Sequence, residues 1–455
     1  MKTVENLILG AGISGISASF HIGHEKCLIL EKNDYAFGIL KSHEVDKYTW
    51  DQGPHVSFTK HDYVKELFAK NVNNEYEEHA VKPSNYYQGS WIDHPVQSNL
   101  FQLPKDIKDK CVASFLLERE KNEKAPTLEN YRDWLSHSLG SEIANRFVAV
   151  YTRKYWTTEL QELTTDWIGP RVHVPNTQDF LDGANGTLGK NPHYISKIRY
   201  PTNGGYESFV KPLAAGADVR YGYEIVNIDL RERIVTCANG ESFLYRKLVS
   251  TIPLPVFIHC TDSLDSHVYT AAKRLRCSNL LLVNVEIPHK VSKKEHWLYV
   301  YDEDMLSCRI TIMDNLSQNN APIDRSAVQV EVYHSSDKPL GMSDEKVAEK
   351  VVGELITMGI VHTPIAPADV RRHTRRLEFA NVIFDHQRRD ALDTIFSCLS
   401  DFGLHRRGDD LDALTDWNNL DEIDRGALCF LGRFGEWKYY WSDDCVMAGK
   451  ALAGT

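Results

Sequence analysis

Residues 1–31 read MKTVENLILGAGISGISASFHIGHEKCLILE. The apolar run Val4 to Leu9 predicts a buried parallel strand. Gly10, Gly12 and Gly15 follow at fixed spacing, and a helix opens there with Ile13, Ile16 and Phe20 at helical intervals. A second buried strand, Cys27 to Leu30, ends in Glu31. Together these form a complete βαβ dinucleotide-binding fingerprint. Gly10 permits the tight turn. Gly12 lets main-chain N–H groups approach a pyrophosphate at a helix N-terminus, and Gly15 lets helix and strand pack closely. Ile13 and Ser14 open that helix and belong to the same candidate cofactor site. Glu31 stands where a carboxylate accepts both ribose hydroxyls. A glycine-rich turn without a ligand would not explain that acid.

The chain has 455 residues, too many for one hydrophobic core, so about two or three folding units are expected. No apolar run approaches the ~20 residues of a membrane span, and no secretory signal precedes the first strand, which predicts a cytoplasmic protein. The nine cysteines are scattered, with no CxxC pair and no His/Cys cluster at metal spacing, so reduced thiols and no metal are expected. A net charge of −11 argues against nucleic acid as a partner. An anionic substrate would need local arginines to overcome that field.

Beyond Glu31 the segment EKNDYAFGILKS carries Lys32, Gly38 and Leu40, and continues as many flavoproteins do past the ribose-binding strand. Gly53-Pro54-His55 is a rigid turn before a short strand; the residues alone leave His55 open between a structural and a catalytic role. His94-Pro95 sets an extended entry, after which Gln97 and Asn99 offer amide edges suited to a base, or form a surface turn. Residues 106–165 are the most helical part, with Thr127 as a plausible cap and Gly140 as a stop. In YTRKYW, Trp156 either packs in a core, stacks on a base or flanks a cofactor. Gly169-Pro170 projects Arg171, a candidate phosphate clamp or a surface arginine. Residues 216–255 read as a β-meander with a turn at Asn239-Gly240. In two-domain FAD proteins a main-chain valine of this meander contacts adenine, and Val226 is the candidate. Residues 278–335 suggest an antiparallel sheet roofing the flavin, with Tyr299 and Arg309 on adjacent strands. The basic patch RRHTRR at 371–376 reads as a solvated face. The C-terminal segment has a buried strand at 427–431, a close-approach turn at Gly432, Arg433 and Gly435, and Asp443 and Asp444 ahead of a small-residue helix directed at the flavin.

The N-terminal fingerprint and the GRFG turn at 432–435 resemble the amine-oxidase and protoporphyrinogen-oxidase type of FAD fold. Within that group the chain is similar to the UDP-galactopyranose mutases along nearly its whole length. The matching stretches are GPHVSF with His55, PVQSN with Gln97, YTRKYW with Trp156 and WIGPRV with Arg171. WLYVYDEDMLSCRITI supplies Tyr299 and Arg309, and GRFGEWKYYWSDD supplies Tyr439. The resemblance makes Arg171, Arg309 and Tyr439 ligands of the substrate diphosphate, Gln97 and Trp156 neighbours of the base, and Tyr299 a substrate contact. It makes His55 a residue beside the flavin. The likeness departs near Asn381, where the mutases carry a tyrosine, so one diphosphate contact is absent or replaced. Ile195 stands near their sugar-contacting asparagine, which leaves the hexose open.

The resemblance implies an α/β architecture. A Rossmann-like, GR2-type FAD-binding domain would be built from residues 1–90, 191–260 and 401–455. A mainly helical insert at 91–190 and an antiparallel-sheet substrate domain at 261–400 would complete it. It further implies a non-redox isomerisation between pyranose and furanose forms of a UDP- or dTDP-hexose for polysaccharide biosynthesis. The reaction would run through a covalent adduct between the sugar and N5 of reduced FAD, with NAD(P)H as an external reductant. An amine-oxidase-type oxidoreductase is the alternative, and it would need an aromatic or apolar pocket rather than convergent arginines. The apolar faces of 106–165 suit either a dimer contact or internal packing.

Overall fold

A computed structural model describes residues 2–121, 128–189, 195–362, 370–405 and 427–454. The opening stretch forms the strand Lys2–Leu9, the helix Ile13–Ile22 and the strand Cys27–Glu31. The two strands are parallel, with Leu7 beside Leu28. Leu7, Ile8 and Leu9 are fully buried, as both faces of a covered parallel sheet require. On the other side of the first strand runs Ser242–Ser250, also parallel, and Ala427–Phe430 extends the parallel set beyond it. The sheet order is 225–229, 234–237, 242–250, 2–9, 27–31 and 219–221, with 427–430 also against 242–250. The meander is therefore part of this sheet, and its turn holds Gly240 at φ +86°.

A second sheet runs 371–382, 277–287, 326–334, 309–312, 297–300, 84–87 and 90–93. It is antiparallel except where Ser84–Tyr87 pairs in parallel with Trp297–Val300. The chain thus enters this sheet as early as Ser84. One face packs valines and isoleucines against the helix Asp344–Thr357, which Ser343 caps. The other face looks toward the first sheet. Of the patch RRHTRR, Arg371 pairs with Asp46 and Glu286, and Arg376 pairs with Asp344.

The helical layer comprises Lys105–Glu120, Tyr131–Leu139, a run from Ser141 to Tyr155 with a π-turn at Ala144–Val148, and Thr177–Asn185. Thr127, the expected cap, lies outside the described residues. The helix at Tyr131 is instead capped by Asn130, whose side chain accepts from the Asp133 N–H. Gly140 stops it at φ +77°, packed against the main chain of Phe115.

Asp443 and Asp444, expected ahead of the last helix, lie inside the first turn of Ser442–Leu452. This helix packs directly on the fingerprint helix. A Cβ on Gly449 would stand 2.4 Å from Ser17 Oγ, and that hydroxyl donates to the Val446 carbonyl at 2.8 Å. None of the nine cysteines forms a disulfide. Among the described residues no helix is long and apolar enough to cross a membrane.

A Cβ on Gly15 would stand 2.0 Å from the Gly10 carbonyl oxygen, whereas one on Gly12 would meet nothing within 4 Å. Gly15→Ala is expected to destabilise the fold by about 1–3 kcal/mol through overpacking. Gly12→Ala is expected to change stability by less than about 0.5 kcal/mol. Urea unfolding of both variants checks this; equal stabilities would refute the close-packing role of Gly15.

Candidate active site

A cavity of about 950 Å³ runs from the fingerprint, between the two sheets, to the C-terminal segment. Gly10, Gly12, Ile13, Ser14, Glu31, Lys32, Gly38 and Leu40 line its first end. Gly10 takes φ +94° and donates its N–H to Leu30 O. Gly38 takes φ +52° and lies against Gly12. Glu31 Oε2 accepts from the Ala11 N–H at 2.9 Å, and its Oε1 accepts from the Asn33 main-chain N–H and amide. The carboxylate is thus held at the strand end, in the place a ribose-binding acid needs. Lys32 pairs with Glu378 at 3.9 Å, so the first sheet's loop meets the second sheet here. An open Gly12, a fixed Glu31 and this length of cavity fit the adenosine diphosphate arm of a flavin dinucleotide.

The middle of the cavity is walled by His55, Ser14, Gly432, Arg433 and Cys445. Gly432 turns at φ +86° with Ser14 tight beneath it, so the C-terminal turn rests on the fingerprint helix. Arg433 donates to the carbonyls of Tyr440 (2.7 Å) and Ala380 (3.2 Å). His55 packs 5.5 Å from the Tyr206 ring, and its Nδ1 has no partner. Burial, then the nearby Arg433 charge, pushes the His55 pKa down to about 3, so the imidazole is neutral. The hairpin before it, formed by the antiparallel strands Ser42–Val45 and Tyr48–Asp51, is anchored by Asp51. This fully buried carboxylate accepts from Ser42 Oγ (2.6 Å), Tyr200 OH (2.8 Å) and Tyr206 N–H (3.0 Å). Burial raises its pKa to about 6.

The far end carries Tyr155, Tyr299, Arg309, Glu331, Tyr333, Asn381 and Tyr439. Tyr299, Arg309 and Glu331 face one another across three neighbouring strands. Arg309 donates from Nε and Nη2 to both Glu331 oxygens, the latter at 2.8 Å. Tyr333 OH also donates to Glu331, at 3.1 Å. Arg309 is therefore a fixed, locally neutralised guanidinium. Tyr299 OH accepts from Trp297 Nε1 at 3.0 Å. Arg171 does not line the cavity. It stacks behind, 4.3 Å over the Tyr439 ring and 4.7 Å over Trp441, with Nη1 donating to Trp167 O. Arg433 lies 5.5 Å from the same Tyr439 ring, so that phenol sits among cations.

Several expected contacts stand away from the cavity. The amide of Gln97 is buried, donates to His173 O at 2.7 Å and does not line the cavity. Trp156 is core, packed 4.9 Å from Trp167 and 5.7 Å from Tyr439, and supports that tyrosine from behind. The Val226 side chain is half-exposed, and Glu224 and Ile225 line the cavity in its place, because the strand begins at Ile225. Asp444 caps its own helix by accepting from the Trp441 N–H at 2.8 Å, which leaves Asp443 on the cavity wall. Gly15 acts through helix–strand packing alone. His61, Asp443 and Asp444 can bring one ligand atom each within 4.8 Å of one another, though Asp444 already serves its cap. Sequence reasoning missed Tyr155 and Glu331. The spacing of Tyr151 and Tyr155 and the alternation of Gln329, Glu331 and Tyr333 were the available signals.

A family model described as flavin containing amine oxidoreductase matches residues 13–377. A 1-hydroxycarotenoid 3,4-desaturase of Flavobacterium sp. (strain P99-3) is 28% identical over 127 residues, which span 27% of this chain and 25% of that enzyme. Among solved structures, reduced UDP-galactopyranose mutase is similar with a TM-score of 0.86 at 20% identity, over 99% of this chain and 93% of that one. A structure from Exiguobacterium sp. 255-15 assigned as a protoporphyrinogen oxidase is similar with a TM-score of 0.71 at 16% identity, over 100% and 98% of the two chains. The fold is thus that of the mutase and its flavoprotein neighbours.

The neutral imidazole of His55 has a thermal signature. Its folded pKa of about 3 lies below the ordinary value of 6.5. Above pH 6.5 both folded and unfolded chains carry it neutral, and it adds no pH dependence. As pH falls from 6.5 toward 3 the unfolded chain takes up a proton that the folded chain refuses, and stability falls. Between pH 7 and 5 the Tm of His55→Gln is expected to drop less than that of the native chain. Equal drops in scanning calorimetry would refute a buried neutral imidazole.

Proposed function

The chain belongs to the flavin-containing amine oxidoreductase family, and within it we propose a non-redox mutase that interconverts pyranose and furanose forms of a UDP- or dTDP-hexose. The observation that carries this reading is the cavity from its middle to its far end, where Arg433 and Arg309, with Arg171 stacked behind Tyr439, gather guanidinium groups and phenol hydroxyls around one space. An amine or hydrocarbon substrate has no use for such a set; a diphosphate does. Reduced FAD, when bound, supplies a nucleophile at N5 for the anomeric carbon, and NAD(P)H is the external reductant in this reading.

The protein's own tasks follow from its geometry. The fingerprint and Glu31 hold the dinucleotide arm, and the Gly432 turn closes the cavity beside Ser14. Arg309, locked by Glu331 through Nε and Nη2, keeps its Nη1 edge for a phosphoryl oxygen. Arg433 and Tyr439 hold the same group from the C-terminal side. This placement stabilises charge on the departing diphosphate and keeps it near for recombination. His55, neutral at working pH, offers a hydrogen bond without adding charge. Ile195 lines the cavity and limits polar contact to the sugar there.

A second reading, an oxidoreductase, draws on Glu331, which cancels the charge of Arg309, and on the aromatic wall of Tyr155, Tyr299, Tyr333 and Tyr439. One assay separates the two. The flavin is reduced with dithionite, UDP- and dTDP-hexopyranoses are offered, and furanose formation is followed by chromatography. The mutase reading expects product only with reduced flavin. It also expects Arg309→Ala to lower turnover by at least about 10²-fold with flavin content unchanged. Near-normal turnover in that variant would remove Arg309 from the diphosphate site. No furanose from any sugar nucleotide, with oxygen uptake driven by an amine or alcohol, would establish the oxidoreductase.

A further inference from the structure

At the far end of the cavity three side chains form a hydrogen-bonded row. Tyr155 OH donates to Asn381 Oδ1 at 3.0 Å and lies 3.2 Å from Tyr439 OH. All three line the cavity. A phenol carries a single proton. The Tyr155 proton is committed to the bond to Asn381, so in the 3.2 Å bond Tyr439 donates and Tyr155 accepts. Burial holds the Tyr155 pKa well above the usual phenol range, so it stays protonated. Asn381 is buried, on a strand where its main chain pairs beside Ser278.

The Tyr439 ring lies between guanidinium groups, Arg171 at 4.3 Å and Arg433 at 5.5 Å. A phosphoryl oxygen drawn there is a stronger acceptor than a phenol oxygen. Tyr439 then turns its proton to the phosphate. The Tyr155 oxygen, still anchored on Asn381, is left as an unfilled acceptor facing the cavity. Away from water such an acceptor weakens binding unless a ligand donor meets it. We infer that Tyr155 is a specificity-determining binding residue, oriented by Asn381, which accepts a hydrogen bond from a ligand hydroxyl once Tyr439 has donated to the ligand phosphate. The inference rests on the nucleotide-hexose reading for the phosphate and adds a demand of its own. The ligand must carry a hydroxyl close to its phosphate, as a hexose 1-phosphate unit does and inorganic pyrophosphate does not.

Flavin-loaded protein is titrated with UDP-galactose and, separately, with inorganic pyrophosphate, with binding read by equilibrium dialysis. Tyr155→Phe is expected to weaken UDP-galactose about tenfold. The same variant is expected to leave pyrophosphate unchanged or tighter, because Tyr439 no longer abandons a partner to bind it. Asn381→Ala is expected to weaken UDP-galactose in the native background and to add nothing to Tyr155→Phe. Flavin content and Tm of each variant verify folding. Losses of equal size for both probes, or no loss for either, overturn the inference. If the native protein binds pyrophosphate but not UDP-galactose, the UDP-galactose form of the functional reading fails. The effect of Tyr155→Phe is then compared between galactose 1-phosphate and pyrophosphate: a loss confined to the sugar phosphate supports the role of Tyr155, and equal losses or none overturn it. Binding of none of the three probes overturns both readings.

Discussion

The structure depends on the parallel association of chain segments far apart in sequence. Lys2–Leu9, Ser242–Ser250 and Ala427–Phe430 lie side by side in one sheet. The turn at Gly432 and the helix Ser442–Leu452 are thereby delivered onto the fingerprint helix, where Ser14, Ser17 and Ala18 leave room only for glycine. Any side chain at Gly432 or Gly449 would hold these elements apart, and the middle of the cavity would lose one wall. The second sheet is then tied to this frame through Lys32–Glu378 and Arg371–Asp46, both at its outermost strand.

Charge is handled differently at the two ends. At the fingerprint, polarity comes from main-chain N–H groups and one carboxylate, which are fixed by backbone geometry and suit a permanent cofactor. At the far end, polarity comes from guanidinium and phenol groups that hold one another. Arg309 is held by Glu331, Arg171 by aromatic faces and a carbonyl although its buried Nε has no partner, and Tyr155 by Asn381. Such a set keeps its geometry while empty and can exchange a partner for a ligand oxygen at small reorganisation cost. An overall negative chain can in this way present guanidinium groups to a pocket while pairing one of them with a carboxylate.

How much of this was legible in the sequence follows the range of each interaction. The fingerprint was legible because its strands, glycines and Glu31 all fall within residues 2–31, although the neighbour that crowds Gly10, Thr251, comes from far along the chain. Tyr299 and Arg309 were placed on adjacent strands correctly, since a short hairpin fixes their register. Gln97 was misread because its partner, the His173 carbonyl, comes from a segment 76 positions later. Trp156 was one aromatic among several in YTRKYW, and sequence could not tell which of them turns outward; the helix gives that place to Tyr155. Val226 has its side chain half-exposed, while Glu224 and Ile225 beside it line the cavity. Arg171 was rightly seen as projected by a Gly-Pro turn, but the aromatic rings that receive it lie near the C-terminal helix and had no local signal.

The late position of Ala427–Leu452 also bears on the order of events during synthesis. Until that segment leaves the ribosome, the small-residue flank of the fingerprint helix at Ser14, Ser17 and Ala18 is uncovered and the cavity lacks its Gly432 wall. A nascent chain can pair its early strands, yet it cannot enclose a cofactor. A chain interrupted before Ala427 would lack one wall of this cavity and leave the partner face of its fingerprint helix open to whatever chaperone or protease meets it first.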